Sequence, residues 1–278
     1  MVELLGGADV RELVARLNVV PTKKLGQNFV TDPNTIRRII SAAKLSGDET
    51  VVEIGPGLGS LTLGLLEQAK HVISVEIDQK MAAELESTIA KRAPGKSFQL
   101  VTADAMKIQD LPMPPDALVA NLPYNISVPV LLHFLETFPT IGKGLVLVQA
   151  EVAHRLAAQP GSKIYGVPSL KLAWYANSVL AGNVGRTIFW PVPNVDSALV
   201  YFEKRAEPIG DEALRLKTFD LIDAAFSQRR KTLRQALATW AGSASAAEAK
   251  LTAAGVDPTA RGEQLSIRDF VKIAEAAL

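Results

Sequence analysis

The sequence predicts an α/β fold, a mostly parallel sheet with helices on both faces, followed by a small all-helical C-terminal domain. Three observations predict it. From residue 50 onward, short apolar runs alternate with longer helical ones, the pattern of a parallel sheet covered on both sides. The first of these runs ends in a glycine-rich turn that opens a helix. Past residue 206, four helical stretches follow one another with no strand between them.

The elements follow in order. Val10, Leu13, Val14 and Leu17 share one face and predict a short amphipathic helix over 9–17. Lys23-Lys24-Leu25-Gly26-Gln27-Asn28-Phe29 reads as an extended or loop segment. A second helix is expected from Asp32-Pro33, because aspartate accepts hydrogen bonds from free first-turn amides and proline fits the first helical position. Strands are expected over 50–54, 72–76, 98–102, 117–121 and 145–150, with helices over 60–68, 79–91 and 128–136. Two later strands, 174–179 and 198–202, are expected to pair antiparallel at the sheet edge. The character shifts at Ala206-Glu207-Pro208-Ile209-Gly210-Asp211. Residues 1–205 are therefore expected to form one domain with an N-terminal arm. Residues 206–278 form a second, with helices over 211–226, 229–239, 245–254 and 266–277.

Composition bounds the chemistry. Apolar residues make up 48% and charged residues 21%, the balance of a globular chain rather than a disordered one. The 30 basic and 29 acidic residues leave a formal charge of +1, so a nucleic-acid surface must come from local clustering. No cysteine is present, which excludes disulfides, thiol nucleophiles and cysteine metal sites. Only His71, His133 and His154 are available as imidazole ligands, so no metal is expected. No apolar run approaches the ~20 residues of a membrane span, and the first residues do not read as a secretory signal. A cytoplasmic protein is expected.

The first strand runs into Glu53-Ile54-Gly55-Pro56-Gly57-Leu58-Gly59. Such a turn lets a ligand approach the backbone and the helix N-terminus closely. In the dinucleotide pattern G-x-G-x-x-G the third glycine would fall at Ser60 counting from Gly55, or at Thr62 counting from Gly57, which disfavours NAD and FAD. The Glu-x-Gly-x-Gly form instead resembles the first motif of S-adenosylmethionine-dependent methyltransferases. Glu76 ends the second strand 17 residues past Gly59, close to the ~20-residue offset at which an acid reaches a ribose diol. Asp78 is expected only to cap the helix that begins at Gln79. Asp104 ends the third strand at the same sheet edge, where it can accept a hydrogen bond from an adenine amine.

Asn121-Leu122-Pro123-Tyr124 ends the fourth strand and is the sharpest signal in the chain. It resembles the Asn-Pro-Pro-Tyr type of motif in methyltransferases that act on exocyclic amines. An adenine amine is a poor nucleophile because its lone pair is delocalised into the ring. The Asn121 side-chain oxygen and the Leu122 carbonyl can accept both amine protons and so favour the pyramidal nitrogen that attacks a methyl group. Pro123 stiffens the turn. Tyr124 can stack on the base, worth about 1–3 kcal/mol. A sulfonium leaves as a neutral thioether, so positioning rather than a strong base should supply most of the acceleration. Phe189 precedes the stiff Pro191-Val192-Pro193 run; core packing is the competing reading, but it is placed with Asn121, Leu122, Pro123 and Tyr124 among the expected catalytic residues, closing the other face of the base. Four basic residues, Arg229, Arg230, Lys231 and Arg234, fall within six positions and on a helix would share neighbouring faces for RNA phosphates. Lys23, Lys24, Arg37 and Arg38 would extend that surface.

With Lys24-Leu25-Gly26-Gln27-Asn28-Phe29, Asp104-Ala105 and the 193–197 and 226–233 segments, these motifs resemble the KsgA/RsmA family of ribosomal RNA adenine N6,N6-dimethyltransferases over nearly the whole chain. The resemblance implies a Rossmann-like methyltransferase fold that uses S-adenosylmethionine and releases S-adenosylhomocysteine. It implies cofactor contacts from Asn28, the backbone near Val30, Gly55, Glu76, Asp104 and Asn121, with Gly57 in the turn. It implies a monomeric enzyme that dimethylates two adjacent adenosines in the 3′-terminal hairpin of 16S rRNA, within a pre-30S small subunit. Two departures stand out: the 182–188 run lacks the family's usual aromatic and proline pair, and Val30 replaces a leucine. The nearest alternative is an erythromycin-resistance-type enzyme acting on 23S rRNA; Leu122 and Asn125-Ile126-Ser127 favour the small-subunit family. A non-catalytic RNA-binding factor on the same fold is disfavoured by the intact Asn-Leu-Pro-Tyr motif.

Overall fold

The apolar runs become strands in the expected order. The computed structural model describes residues 2–18 and 28–276. It opens with α1 (Gly7–Leu17), β1 (Phe29–Val30) and α2 (Pro33–Ala42). Next come β2 (Thr50–Ile54), α3 (Ser60–Gln68), β3 (His71–Glu76), α4 (Gln79–Arg92), β4 (Phe98–Thr102), β5 (Ala117–Asn121), α5 (Ser127–Thr137) and β6 (Lys143–Gln149). The chain continues through α6 (Ala150–Leu156), α7 (Val167–Tyr175), β7 (Ala176–Val184), β8 (Phe189–Trp190) and β9 (Ser197–Lys204). It ends in α8 (Glu212–Ser227), α9 (Leu233–Ala236), α10 (Ala238–Ala241), α11 (Ala244–Ala253) and α12 (Ile267–Ala276). Residues 23–27 of the basic N-terminal segment lie outside the described residues. No helix among the described residues is long and apolar enough to cross a membrane.

Two compact units emerge. The first takes the chain up to Ala153 together with Val179–Lys204, and the second takes His154–Ser178 and the chain from Arg205. The chain thus passes between the units three times, after Ala153, Ser178 and Lys204. Segment 154–178 belongs with the helical unit because α7 packs against α8 and α12. The charges divide unequally: the helical unit carries 14 basic and 10 acidic residues, the other 16 and 19.

In the first unit the sheet order is β4-β3-β2-β5-β6-β9-β7. β4, β3, β2, β5 and β6 run parallel, and β9 pairs antiparallel with β6. Val51, Val72, Val119, Leu147 and Leu199 pack in one cluster with residues of α1 to α4. Their strand neighbours Val52, Ile73, Leu118, Val146 and Val200, which point the other way, are also buried. Burial on both faces is why these strands read as continuous apolar runs. Asp32 caps α2 as expected, accepting from the Thr35 amide at 2.9 Å. Asp78 caps α4 through the amides of Lys80 and Met81.

The expected strand over 174–179 is present from Ala176 on, as β7 beside β9 at the sheet edge, and only its first two residues are corrected. Trp174 and Tyr175 form the last turn of α7 and meet the Phe219 ring edge-on at 6.0 and 6.3 Å, so tertiary packing overrides their strand preference. The expected helix over 229–239 is also broken. Residues 228–230 form a turn, and two short helices follow.

Candidate cofactor and methyl-transfer site

The parallel register brings Ile54 level with Val75, and Glu76 level with Thr102, so the residues after each strand collect along one sheet edge. Gly55, Gly57 and Gly59 all take left-handed backbone, with φ of 66°, 56° and 93°. At Gly57 the glycine is also required by space: a Cβ there would lie 2.7 Å from the Phe29 ring. The turn thus runs directly beneath β1. Pro123 lies on its other side, 3.6 Å from where a Gly55 Cβ would stand.

Glu53 is buried under this turn. Its Oε2 accepts hydrogen bonds from the Thr62 hydroxyl at 2.7 Å and the Ser74 hydroxyl at 2.8 Å, joining β2 to α3 and β3. Burial pushes its carboxyl up to about 7 against those two bonds. An unfolded Glu53 titrates near the ordinary 4.5. Between that value and about 7 the folded state keeps a proton that the unfolded state has lost, so stability falls as pH rises through the window. Glu53→Gln is therefore expected to stabilise the cofactor-free protein at pH 8 by about 1–3 kcal/mol and to change little at pH 4. Melting temperatures of both proteins across that range check this, and a pH-independent difference refutes it.

Glu76 is also buried, and burial raises its pKa despite the backbone bonds it accepts. Oε1 takes the Asp78 amide at 2.9 Å and Oε2 takes the Gly57 amide at 3.2 Å, which ties the acid to the glycine turn. Asp104 is partly open, with Oδ1 accepting the Met106 amide at 2.9 Å. The side-chain Nδ2 of Asn121 donates to the Asn28 carbonyl at 2.9 Å, joining the end of β5 to the residue before β1. β1 itself pairs with β8, Val30 opposite Phe189, and Phe29 stacks on Trp190 at 6.4 Å.

These contacts shape one cleft that opens to solvent. All seven residues expected at the cofactor line it: Asn28, Val30, Gly55, Gly57, Glu76, Asp104 and Asn121. Of the expected catalytic residues, Asn121 and Pro123 line it, Leu122 is buried behind it, and Tyr124 stands outside its walls. The Tyr124 hydroxyl is hydrogen-bonded to the Ser197 hydroxyl at 2.6 Å, and burial raises its pKa. Phe189, the fifth expected catalytic residue, is 2% exposed and packs in the core cluster instead of lining the cleft. The basic cluster is rearranged as well. Arg229 is bound to the Glu263 carboxylate and the Lys163 carbonyl, and Arg234 pairs with Glu248 at 3.0 Å. Arg230 and Lys231 have no acidic partner among the described residues.

Sequence reading missed Ser60 and Ile77. Ser60, the first residue of α3, lines the cleft, and its buried hydroxyl has no partner among the described residues. Ile77 lines the same cleft while 54% exposed, an apolar surface next to the acid at a strand end. A lone serine carries no signal, but the position after Glu76 does. S-adenosylmethionine fits this set of groups: a buried acid for a ribose diol, apolar Ile77 beside it for a purine, a glycine turn where a side chain would fill the space, and an unsatisfied hydroxyl at a helix start.

Comparison with known proteins agrees with the geometry. The family model described as Ribosomal RNA adenine dimethylase matches residues 21–277. The chain is 61% identical to the Ribosomal RNA small subunit methyltransferase A of Streptomyces avermitilis over 98% of this chain and 93% of that protein. It is 60% identical to the protein of the same name from Streptomyces coelicolor over 98% of this chain and 96% of that protein. Among solved structures, a dimethyladenosine transferase from Plasmodium falciparum superposes with a TM-score of 0.75 at 25% identity, covering 88% of this chain and 95% of that one. The 23S rRNA methyltransferase ErmE gives 0.66 at 28% identity, covering 89% and 98%. Matched over nearly its full length and built around a cleft of this chemistry, the chain belongs to the ribosomal RNA adenine dimethylase family.

Proposed function

We propose that this protein transfers methyl groups from S-adenosylmethionine to the N6 amines of two adjacent adenosines in the 3′-terminal hairpin of 16S rRNA. It acts as a cytoplasmic monomer on the pre-30S small subunit and makes four transfers in all. Relatives near 60% identity that are named for the small subunit support this substrate over the 23S alternative.

One observation carries the chemistry: the Asn121 amide. Its nitrogen donates to the Asn28 carbonyl, so its oxygen is the atom left to accept a hydrogen bond from the adenine amine. The Leu122 amide donates to the Leu147 carbonyl at 3.1 Å, which makes the motif a continuation of the β5–β6 ladder and fixes its backbone. The bound cofactor supplies a methyl group made electrophilic by a sulfonium. The chain orients the amine toward it and holds the ribose end through Glu76.

The test offers purified protein and labelled S-adenosylmethionine to small- and large-subunit rRNA. Label in N6,N6-dimethyladenosine of the small-subunit hairpin is expected, and incorporation into 23S rRNA alone overturns the reading. RNA phosphates are assigned to Arg230 and Lys231. Alanine at either position is expected to weaken binding of all RNA sequences alike and to lower the salt slope of log K by about 0.7–0.9 per lost phosphate contact. Arg229→Ala should lower the melting temperature as well, because its guanidinium joins Glu263 to the backbone of Lys163. Unchanged salt slopes in the Arg230 and Lys231 variants contradict this assignment.

A further inference from the structure

We propose that Ser197 positions Tyr124 for methyl transfer by anchoring its phenol hydroxyl. This rests on the reading that Tyr124 stacks on the target adenine. Tyr124 sits on the turn beyond β5, and a ring in that place is free to turn about its side-chain bonds unless its far end is held. The Ser197 hydroxyl holds it, 2.6 Å away across 73 residues of sequence.

The anchor itself is rigid. Ser197 is fully buried and is the first residue of β9, in register with Gln149 of β6, and β6 pairs with the strand that carries Asn121. The residues just before it are tied down as well. The Asp196 carbonyl accepts from the Ala150 amide at 2.9 Å, and the Asp196 carboxylate accepts from the Arg186 amide at 3.0 Å. The Asn194 carbonyl accepts from the Arg186 guanidinium at 3.2 Å. The phenol is therefore held at both ends by one sheet: at its Cα by the turn after β5, and at its hydroxyl by the start of β9. A base stacking on a ring so held meets the Asn121 oxygen already aligned. Without the anchor the ring tilts, and misalignment of a reacting amine costs rate more than binding.

The experiment is a double-mutant cycle with Ser197→Ala, Tyr124→Phe and their combination, together with Ser197→Thr and Tyr124→Ala. Each variant is measured in single turnover on rRNA. S-adenosylhomocysteine affinity is measured by calorimetry, and stacking by the fluorescence of 2-aminopurine placed at the target adenosine. Loss of one neutral hydrogen bond predicts a roughly 3- to 10-fold fall in the methylation rate for Ser197→Ala and for Tyr124→Phe alike. The double variant should be no slower than either single one. Ser197→Thr, which keeps the hydroxyl, should recover the rate; if the added methyl unfolds it, Tyr124→Phe carries the comparison. Cofactor affinity should stay unchanged and 2-aminopurine quenching should weaken. A wild-type rate in Ser197→Ala with only a lowered melting temperature overturns the proposal, as do independent, multiplying losses in the double variant. Full activity in Tyr124→Ala overturns the stacking reading itself. An inactive Tyr124→Ala beside a fully active Ser197→Ala overturns the anchor alone.

Discussion

Asn121→Ala should lose methylation by on the order of 10²–10³-fold in kcat, the scale seen when one pre-organised hydrogen-bonding group is removed from the point of charge development. Two effects combine. The oxygen proposed to accept a hydrogen bond from the amine disappears, and so does the bond from Nδ2 that holds the Asn28 carbonyl at the cleft. Cofactor affinity should therefore fall too, by the smaller factor of one neutral hydrogen bond, roughly 3- to 10-fold. RNA affinity should survive, because none of the basic residues assigned to phosphates lies at the cleft. Single-turnover methylation, calorimetry with S-adenosylhomocysteine and RNA filter binding separate the three. Normal methylation by the variant refutes the mechanism.

Gly57→Ala should be nearly as damaging, and for a different reason. The backbone at this position has φ of 56°, and leaving glycine there costs about 1–2 kcal/mol before any contact is counted. The new Cβ would then stand 2.7 Å from Phe29, whose own ring stacks on Trp190, so relief requires that β1 and β8 move together. The Gly57 amide also donates to Glu76, so a displaced turn releases the acid proposed to hold the ribose. A loss of about 10²-fold in S-adenosylhomocysteine affinity is expected, with a lowered melting temperature. Unaltered affinity by calorimetry would show that the turn does not shape the cofactor site.

The sheet was legible because its strands are buried on both faces and its helices repeat at helical spacing. The expected runs at 50–54, 98–102 and 117–121 coincide with β2, β4 and β5. The site was legible for a related reason: chemistry in a parallel sheet gathers where strands end, and Gly55, Glu76, Asp104 and Asn121 each follow or close an apolar run. What stayed hidden depends on distant partners. β1 and β8 are two residues long and pair across the length of the chain, which leaves no periodicity to read. Trp174 and Tyr175 have strand-like side chains but end a helix because Phe219 waits for them. Phe189 stands before a stiff proline run like a stacking residue, and only burial shows it to be core. Ser197 belongs to a recognisable segment, yet its bond to Tyr124 exists only in three dimensions.

The helical unit is discontinuous in sequence, and that bears on how the protein can be made or cut. During synthesis α7 emerges long before α8 and α12, the helices it packs against. Trp174, buried in the finished protein, must wait for Phe219 of α8 before it meets the ring it packs against. β6 likewise keeps an open edge until β9 leaves the ribosome. A stop codon at residue 206 would not release a tidy catalytic fragment. It would leave α7 with a bare apolar face, and aggregation rather than partial activity is the expected fate of such a truncation. Any transplant of the helical unit onto another protein must carry both of its pieces.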